Sequence, residues 1–161
     1  MLMVFVTKYK KYLYLIFTIM VMILIFCFSH QEASKSAHTS SLVGNTLTNI
    51  AFFRTLFRIF PIRKCAHFFI YLILGKCAIK TFNEFGILSI RSFVLTLLFC
   101  FLYACSDEFH QLFVNGRSGS FIDVCIDTSG SLLGIFIVIS CNKLYRKMCL
   151  WKKRKALTNC G

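Results

Sequence analysis

Proline and acidic side chains are scarce in this sequence of 161 residues. It contains one Pro and six Asp and Glu, and charged residues make up only 16% of it, where soluble proteins average about 25%. So few charges exclude an ordinary water-soluble domain, and the single Pro excludes a collagen-like or proline-rich disordered chain. No Cys-x-x-Cys pair occurs among the nine cysteines, which removes a common zinc-binding and redox pattern.

Apolar and basic residues are the abundant classes. Apolar side chains form 57% of the chain, the mean hydropathy is +0.70, and 19 Lys and Arg give a net charge of +13. Such a charge is typical of nucleic-acid binding when the basic residues share one surface. Here they collect where apolar runs end, which is typical of membrane proteins. We therefore expect a lipid bilayer as the partner and no nucleic acid.

Four apolar runs predict membrane-spanning helices. The run from Tyr12 to Ser29 has 18 uncharged residues, which is enough for one crossing and longer than the apolar part of most signal peptides. The other three runs are shorter, so their helices must include polar flanking residues to cross the hydrocarbon core. The sequence predicts an all-α integral membrane bundle in a single domain over residues 1–161, with spans near 12–29, 65–80, 90–107 and 122–142 and a basic cytoplasmic tail over 143–161.

An amphipathic pattern fills residues 42–60, between the first two spans. Phe53 and Phe57 fall on one helical face, Arg54 lies away from it, and Pro61 ends the pattern. The pattern predicts a helix that lies along the membrane interface. The alternative is a re-entrant segment packed against the bundle.

The distribution of Lys and Arg predicts the orientation. With four crossings and the N-terminus in the cytoplasm, thirteen basic residues fall inside and six outside. This excess favours a cytoplasmic N-terminus and a cytoplasmic C-terminus. The six outside residues are Lys35, Arg54, Arg58, Arg63, Lys64 and Arg117.

The acidic residues cluster at one end of the predicted bundle. Four of the six lie within 21 residues, where the third span ends and the fourth begins: Asp107, Glu108, Asp123 and Asp127. A charge at the centre of a membrane helix costs about 2.5–3.5 kcal/mol, so an acid that lies there is usually paired or functional. For Asp127 the candidate partners are Arg63, Lys64, His67 and Arg117. The alternative to a functional site is a structural ion pair that locks the helices.

Helical spacing predicts that polar and small residues of three spans form inward-facing stripes. The stripes are Lys64, His67, Tyr71 and Gly75; Cys100, Tyr103, Asp107 and His110 or Gln111; and Asp123, Asp127, Gly130 and Gly134. Two glycines four residues apart allow helix backbones to approach closely. In the predicted orientation, the three stripes meet near the outer leaflet.

The segment Asp107-Glu108-Phe109-His110-Gln111 permits several chemistries. An acid and a His three residues apart share a helix face, so Asp107 and His110 are candidate metal ligands that Asp123 and Asp127 complete. General acid–base catalysis by Asp107, Glu108, His110 or His67 is the alternative. Because the repeated His or Cys ligands of zinc sites are missing, the pattern alone identifies no cofactor.

Several segments together resemble the VanZ-like family of small multi-helix membrane proteins. The Asp-Glu-x-His-Gln segment is the most specific of them, and Phe28-Ser29-His30-Gln31 is similar to the end of the family's first helix. The other matching residues are Arg63-Lys64-Cys65-Ala66-His67-Phe68, Tyr103-Ala104-Cys105-Ser106, Leu112-Phe113, Gly116-Arg117, Asp123, Asp127 and Gly130.

The resemblance implies a bacterial cell-envelope protein, because the family is named after a member associated with resistance to the glycopeptide antibiotic teicoplanin. It implies binding roles for Arg63, Lys64, His67, Gln111, Arg117, Asp123 and Asp127. Two positions depart from the family pattern. Ile70 stands where many relatives have Glu, and Asn115 stands where they have Pro, although Asn115-Gly116 still predicts a turn. If that Glu belongs to a catalytic or metal site, this chain lacks the activity.

Three hypotheses follow. The first is an outer-leaflet pocket in which Arg117, Arg63 and Lys64 bind the phosphate or carboxylate of a cell-wall precursor, a lipid headgroup or a glycopeptide. The second is a membrane-embedded, metal-dependent hydrolase of a lipid-linked substrate. The third is a scaffold or proton-coupled carrier in which Asp127 and His67 pair or titrate. A carrier of four short helices requires an oligomer.

Overall fold

The structure, a computed structural model, describes residues 2–31, 62–87 and 90–158. Within these ranges the chain forms four α-helices and no strand, which confirms the all-α prediction. The helices are α1 Leu2–Ser29, α2 Ile62–Glu84, α3 Ile90–Gln111 and α4 Phe121–Thr158. The predicted interfacial segment over residues 42–60 lies outside the described residues.

Each of these helices contains a stretch long and apolar enough to cross a membrane. The shorter two, α2 and α3, have 23 and 22 residues, so at about 1.5 Å per residue each exceeds a hydrocarbon core of roughly 30 Å. The polar residues flanking the short apolar runs are therefore part of the helices, as predicted. The chain is a multi-pass membrane protein, and α4 continues through the basic tail as far as Thr158.

The outer surface of the bundle is apolar along its length. Large apolar side chains on all four helices are about half exposed. Such a surface suits lipid and would be unfavourable in water. Examples are Leu13, Phe17, Ile23, Phe69, Leu98, Leu102 and Phe136.

The most extensive contact among the described helices joins α2 and α4. Three glycines bring the two backbones together, because a Cβ at any of them would overlap a backbone carbonyl oxygen of the facing helix. The pairs are Gly130 with Phe68, Gly134 with Leu72, and Gly75 with Ser131. The pairs Lys64–Asp123, Phe68–Gly130 and Leu72–Gly134 follow the same direction along both helices, so α2 and α4 are parallel. Small residues thus replace the hydrophobic driving force that lipid does not supply.

The bundle interior is mixed apolar and polar. Its main apolar cluster is formed by Val21, Ile25, Tyr71, Leu74, Ala78, Cys100, Ala104 and Val124. Buried hydroxyls add hydrogen bonds between helices: Thr18 Oγ1 lies 3.0 Å from Thr81 Oγ1, and the Ser131 hydroxyl donates to the Tyr71 carbonyl oxygen. At the end of the bundle where α1 begins, Lys10 pairs with Glu84 at 3.0 Å.

Candidate functional site

The polar end of the bundle is the end where α1 and α3 finish and α2 and α4 begin. A hydrogen bond from Ser29 to Asp107 joins α1 to α3, and an ion pair of 2.6 Å between Lys64 Nζ and Asp123 Oδ1 joins α2 to α4. All four clustered acids lie here. The candidate residues on three separate helices therefore converge in space.

Asp107 is held by neutral hydrogen-bond donors. Its Oδ2 accepts from the Ser29 hydroxyl at 2.9 Å and from Gln111 Nε2 at 3.4 Å, and the residue is only 4% exposed. The side-chain oxygen of Gln111 in turn accepts from Arg63 Nη2. The carboxylate thus has a fixed orientation, set by residues from α1 and α3.

Asp127 is fully buried one turn deeper than Asp123. Neither of its carboxylate oxygens has a hydrogen-bond partner among the described residues. The nearest ring nitrogen is His67 Nδ1, 3.5 Å from Oδ2, and the same nitrogen lies 3.9 Å from Asp107 Oδ2. We call His67, Asp107 and Asp127 the buried triad, since one ring nitrogen or carboxylate oxygen from each lies within 4.8 Å of the others.

The other two acids have partners. Asp123 forms the ion pair with Lys64, and Glu108 Oε2 accepts a 2.9 Å hydrogen bond from the backbone N–H of Ser120. The Ser120 hydroxyl accepts from the N–H of Ile122, so Ser120 caps the start of α4. A carboxylate at a helix N-terminus is stabilised by the helix dipole. Glu108 therefore fixes where α4 begins relative to α3.

Arg63 and Arg117 have no ion-pair partner among the described residues. Arg117 Nη2 donates to the carbonyl oxygen of Phe28 at 3.2 Å, whereas its Nε and Nη1 are buried without a hydrogen-bond partner in the described part of the chain. Burial, and next the positive charge of Arg63, lower the pKa of Arg117 from its usual value. Arginine nevertheless stays protonated in proteins, so two positive charges without an ion-pair partner among the described residues lie close enough to repel each other.

His110 turns away from the buried triad toward α1. Its ring stacks on Phe26 with the centroids 4.6 Å apart, and its Nε2 lies 3.2 Å from Nδ1 of His30. His110 thus joins a histidine pair, and the position nearest Asp107 on the inward face of α3 belongs to Gln111.

A cavity of about 250 Å³ opens at the polar end. The two cations at the start of α2, both acids of α4 and His67 reach it. Its lining consists of Arg63, Lys64, His67, Glu108, Asp123, Ile126 and Asp127. The charged residues are therefore arranged around a space that a small polar group can enter.

The family assignment rests on most of the chain. A protein-family model described as VanZ/LLP1 matches residues 14–142, from the first span to the end of the fourth. The chain belongs to the VanZ/LLP1 family. This confirms the resemblance drawn from the sequence, and the matched range includes the buried triad and the whole cavity lining. No curated protein and no solved structure matches the chain.

The two departures from the family pattern have different structural settings. Ile70 packs against the main apolar cluster, so the buried triad forms without an acid at this position. Asn115 and Gly116 form the predicted turn, and Gly116 has a φ of 75°, which favours glycine. The turn leads the chain from α3 to Arg117.

The structure places every candidate site residue at the polar end, in three groups. His67, Asp107 and Asp127 form the buried triad. The pairs Lys64–Asp123 and Glu108–Ser120 join helix ends. The third group consists of Arg63, Gln111 and Arg117, and His110 faces α1. Sequence reasoning gave no role to Ser29 or to the Tyr103 hydroxyl, which donates to the Met22 carbonyl oxygen at 2.7 Å. The feature of the sequence that could have indicated Ser29 is its place, as a hydroxyl residue, at the end of the first apolar run.

Proposed function

We propose that this VanZ/LLP1 protein acts in the bacterial cell envelope, with the polar end facing the outer leaflet. There Arg63, Arg117 and Lys64 bind the phosphate or carboxylate of a cell-wall precursor, a lipid headgroup or a glycopeptide. Binding at this place lowers the sensitivity of the cell to glycopeptides such as teicoplanin.

The observation that carries the proposal is the pair of unpaired guanidinium groups. Two like charges at a partly buried position repel each other, and an anion between them removes that repulsion. Guanidinium groups bind phosphate and carboxylate through two parallel hydrogen bonds, and Arg117 Nε and Nη1 have no hydrogen-bond partner among the described residues. Lys64 contributes less, because Asp123 already neutralises it.

The size of the cavity indicates how much of a ligand enters. Sites for drug-sized molecules usually enclose about 300–1,000 Å³, and this cavity measures about 250 Å³. It therefore admits a headgroup or a terminal carboxylate, while the rest of a lipid or glycopeptide stays outside. Exposed aromatic side chains at the same end of the bundle, Phe109, Phe113 and Phe121, provide an apolar surface for that remainder.

The orientation is tested by labelling single cysteines in a cysteine-free background. We expect Ser36→Cys and Ser118→Cys to react with a membrane-impermeant maleimide on intact cells. Ile87→Cys and Leu157→Cys should react only after the cells are permeabilised. Labelling of positions 36 and 118 from the cytoplasm alone would place the polar end inside and overturn the proposal.

Arg117→Ala tests the arginine pair. The variant should insert normally, lose detectable binding of a short-chain lipid phosphate in calorimetric titration, and return teicoplanin tolerance to that of cells without the protein. The reason is that Arg117 supplies donors without a competing ion pair, and charge-assisted hydrogen bonds are about twice as strong as neutral ones. Titration of purified protein and growth in graded teicoplanin are the measurements.

The matched control is Arg91→Ala. It also removes one arginine, but at the start of α3, at the opposite end of the bundle, where the side chain is exposed. It should bind and protect like the wild type. An equal loss of binding and tolerance in both variants would mean that the overall positive charge of the protein, and not the arginine pair, is responsible. Full binding and tolerance in Arg117→Ala would show that the arginine pair is irrelevant.

A further inference from the structure

The buried triad places two buried carboxylates around one imidazole. Asp107 and Asp127 are 4% and 0% exposed, and His67 Nδ1 lies 3.9 Å and 3.5 Å from a carboxylate oxygen of each. Two carboxylates this close do not both ionise without a counter-charge, and one protonated histidine supplies a single positive charge. Because Asp127 also has no hydrogen-bond donor among the described residues, its burial lacks the compensation that buried acids normally have.

The geometry of the buried triad fits around one metal ion. Ligands about 2.1 Å from a tetrahedral zinc lie roughly 3.4 Å from one another. His67 Nδ1 is 3.5 Å from Asp127 Oδ2 and 3.9 Å from Asp107 Oδ2, and the three donor atoms all lie within 4.8 Å of one another. Small side-chain rotations therefore suffice to bring all three atoms to coordination distance.

We propose that His67, Asp107 and Asp127 bind one divalent transition-metal cation of the zinc type. The imidazole favours Zn²⁺ and its neighbours over Mg²⁺ and Ca²⁺, which prefer an all-oxygen shell. Three protein ligands are the number found in zinc sites that keep one position open. Since His67 and Asp127 line the cavity, the open position faces the space that the proposed anion enters.

Neighbouring side chains orient the ligands, as they do in known metal sites. The Ser29 hydroxyl and Gln111 Nε2 hold the Asp107 carboxylate, and Gln111 also accepts from Arg63. The metal site and the arginine pair are thus connected through Gln111. Cation binding itself needs no anion, so this inference stands or falls separately from the proposed function.

The test uses the full chain in lipid nanodiscs, freed of metal by a chelator and titrated with Co²⁺. We expect one Co²⁺ per chain, with the visible absorption of a low-symmetry nitrogen–oxygen site, and its displacement by one equivalent of Zn²⁺. Asp127→Asn should weaken binding by at least about 100-fold, because loss of a ligand exceeds the 10–100-fold typical of outer-shell substitutions. Ser29→Ala should fall within that smaller range.

Glu84→Gln is the control, because it removes one negative charge at the opposite end of the bundle, where Glu84 pairs with Lys10, and leaves the buried triad intact. It should keep the wild-type affinity for Co²⁺. His67→Gln and Asp107→Asn repeat the ligand removal in case Asp127→Asn does not fold, which size-exclusion profiles reveal. The inference is wrong if wild-type protein binds no Co²⁺ or Zn²⁺, or if a folded ligand variant binds as tightly as Glu84→Gln. Infrared spectroscopy of metal-treated protein gives a second test. A band of a protonated carboxylic acid that is present in the wild type and absent from Asp127→Asn would also overturn the inference.

Discussion

Gly134→Leu is expected to prevent α2 and α4 from packing and to remove most of the folded protein from the membrane. A Cβ at this position already overlaps the carbonyl oxygen of Leu72, a backbone atom that cannot rotate away as a side chain does. Overpacking of a core costs about 1–3 kcal/mol even where side chains adjust, so a backbone overlap should exceed that range. The cost matters because close packing drives the association of helices in lipid.

The measurement is fluorescence-detected size exclusion with thermal denaturation, applied to Gly134→Leu and to Ser140→Leu. Ser140 lies on the same helix with its side chain exposed, so a leucine there adds the same bulk on the lipid side and should leave the profile unchanged. A sharp elution peak and a wild-type melting temperature for Gly134→Leu would contradict the close approach of the two helices.

The same glycine contact aligns the polar residues. Along the parallel pair of helices, Lys64 meets Asp123, His67 meets Asp127, Phe68 meets Gly130 and Leu72 meets Gly134. A shift of either helix by one turn would separate each of these pairs. The glycines that permit the approach therefore also set the register on which the ion pair and the buried triad depend.

The helices were predictable because lipid imposes a simple rule on the sequence. A chain that crosses the hydrocarbon core must be helical and apolar over about 20 residues, and the runs from Tyr12 and from Val124 meet this rule alone. The second and third runs fell short by a few residues. The reason is that polar residues at the ends of the runs also belong to the helices. Arg63 and Lys64 line the cavity, and Gln111 accepts a hydrogen bond from Arg63.

The convergence of the polar residues was also predictable, but the ligand partners were not. Relative to Asp107, a residue three positions on lies about 60° to one side of the helix and a residue four positions on lies about 40° to the other. Spacing therefore could not choose between His110 and Gln111. Contacts with α1 decide it, since Phe26 and His30 stack on His110 while Gln111 faces inward.

Register explains why Asp123 and Asp127 differ although they share one stripe. Asp123 lies at the first turn of α4, level with Lys64, where a long side chain reaches it from the helix end. Asp127 lies one turn deeper, level with His67, whose ring is short and stays within the bundle. The register of α2 against α4 depends on how closely the two helices approach. In a single sequence only the glycines indicate that approach.

Tyr71→Ala is expected to destabilise the bundle by about 3–5 kcal/mol, the range for removal of a large aromatic side chain from a core. Tyr71 is fully buried, and its ring centroid lies 6.5 Å from that of His67 and 6.2 Å from that of Tyr103. The melting temperature should fall by roughly 6–20 °C, since 1 kcal/mol corresponds to about 2–4 °C for a chain of this size.

Tyr71→Phe separates the ring from the hydroxyl. The hydroxyl has no hydrogen-bond partner among the described residues, so its removal leaves no donor or acceptor unsatisfied and should change the melting temperature little. Tyr145→Ala controls for the loss of a tyrosine, because Tyr145 is exposed on the distal part of α4. A loss in Tyr71→Phe as large as that in Tyr71→Ala would show that the hydroxyl stabilises the helices. A loss confined to Tyr71→Ala would show that the ring fills the space beneath the buried triad and keeps His67 beside its two acids.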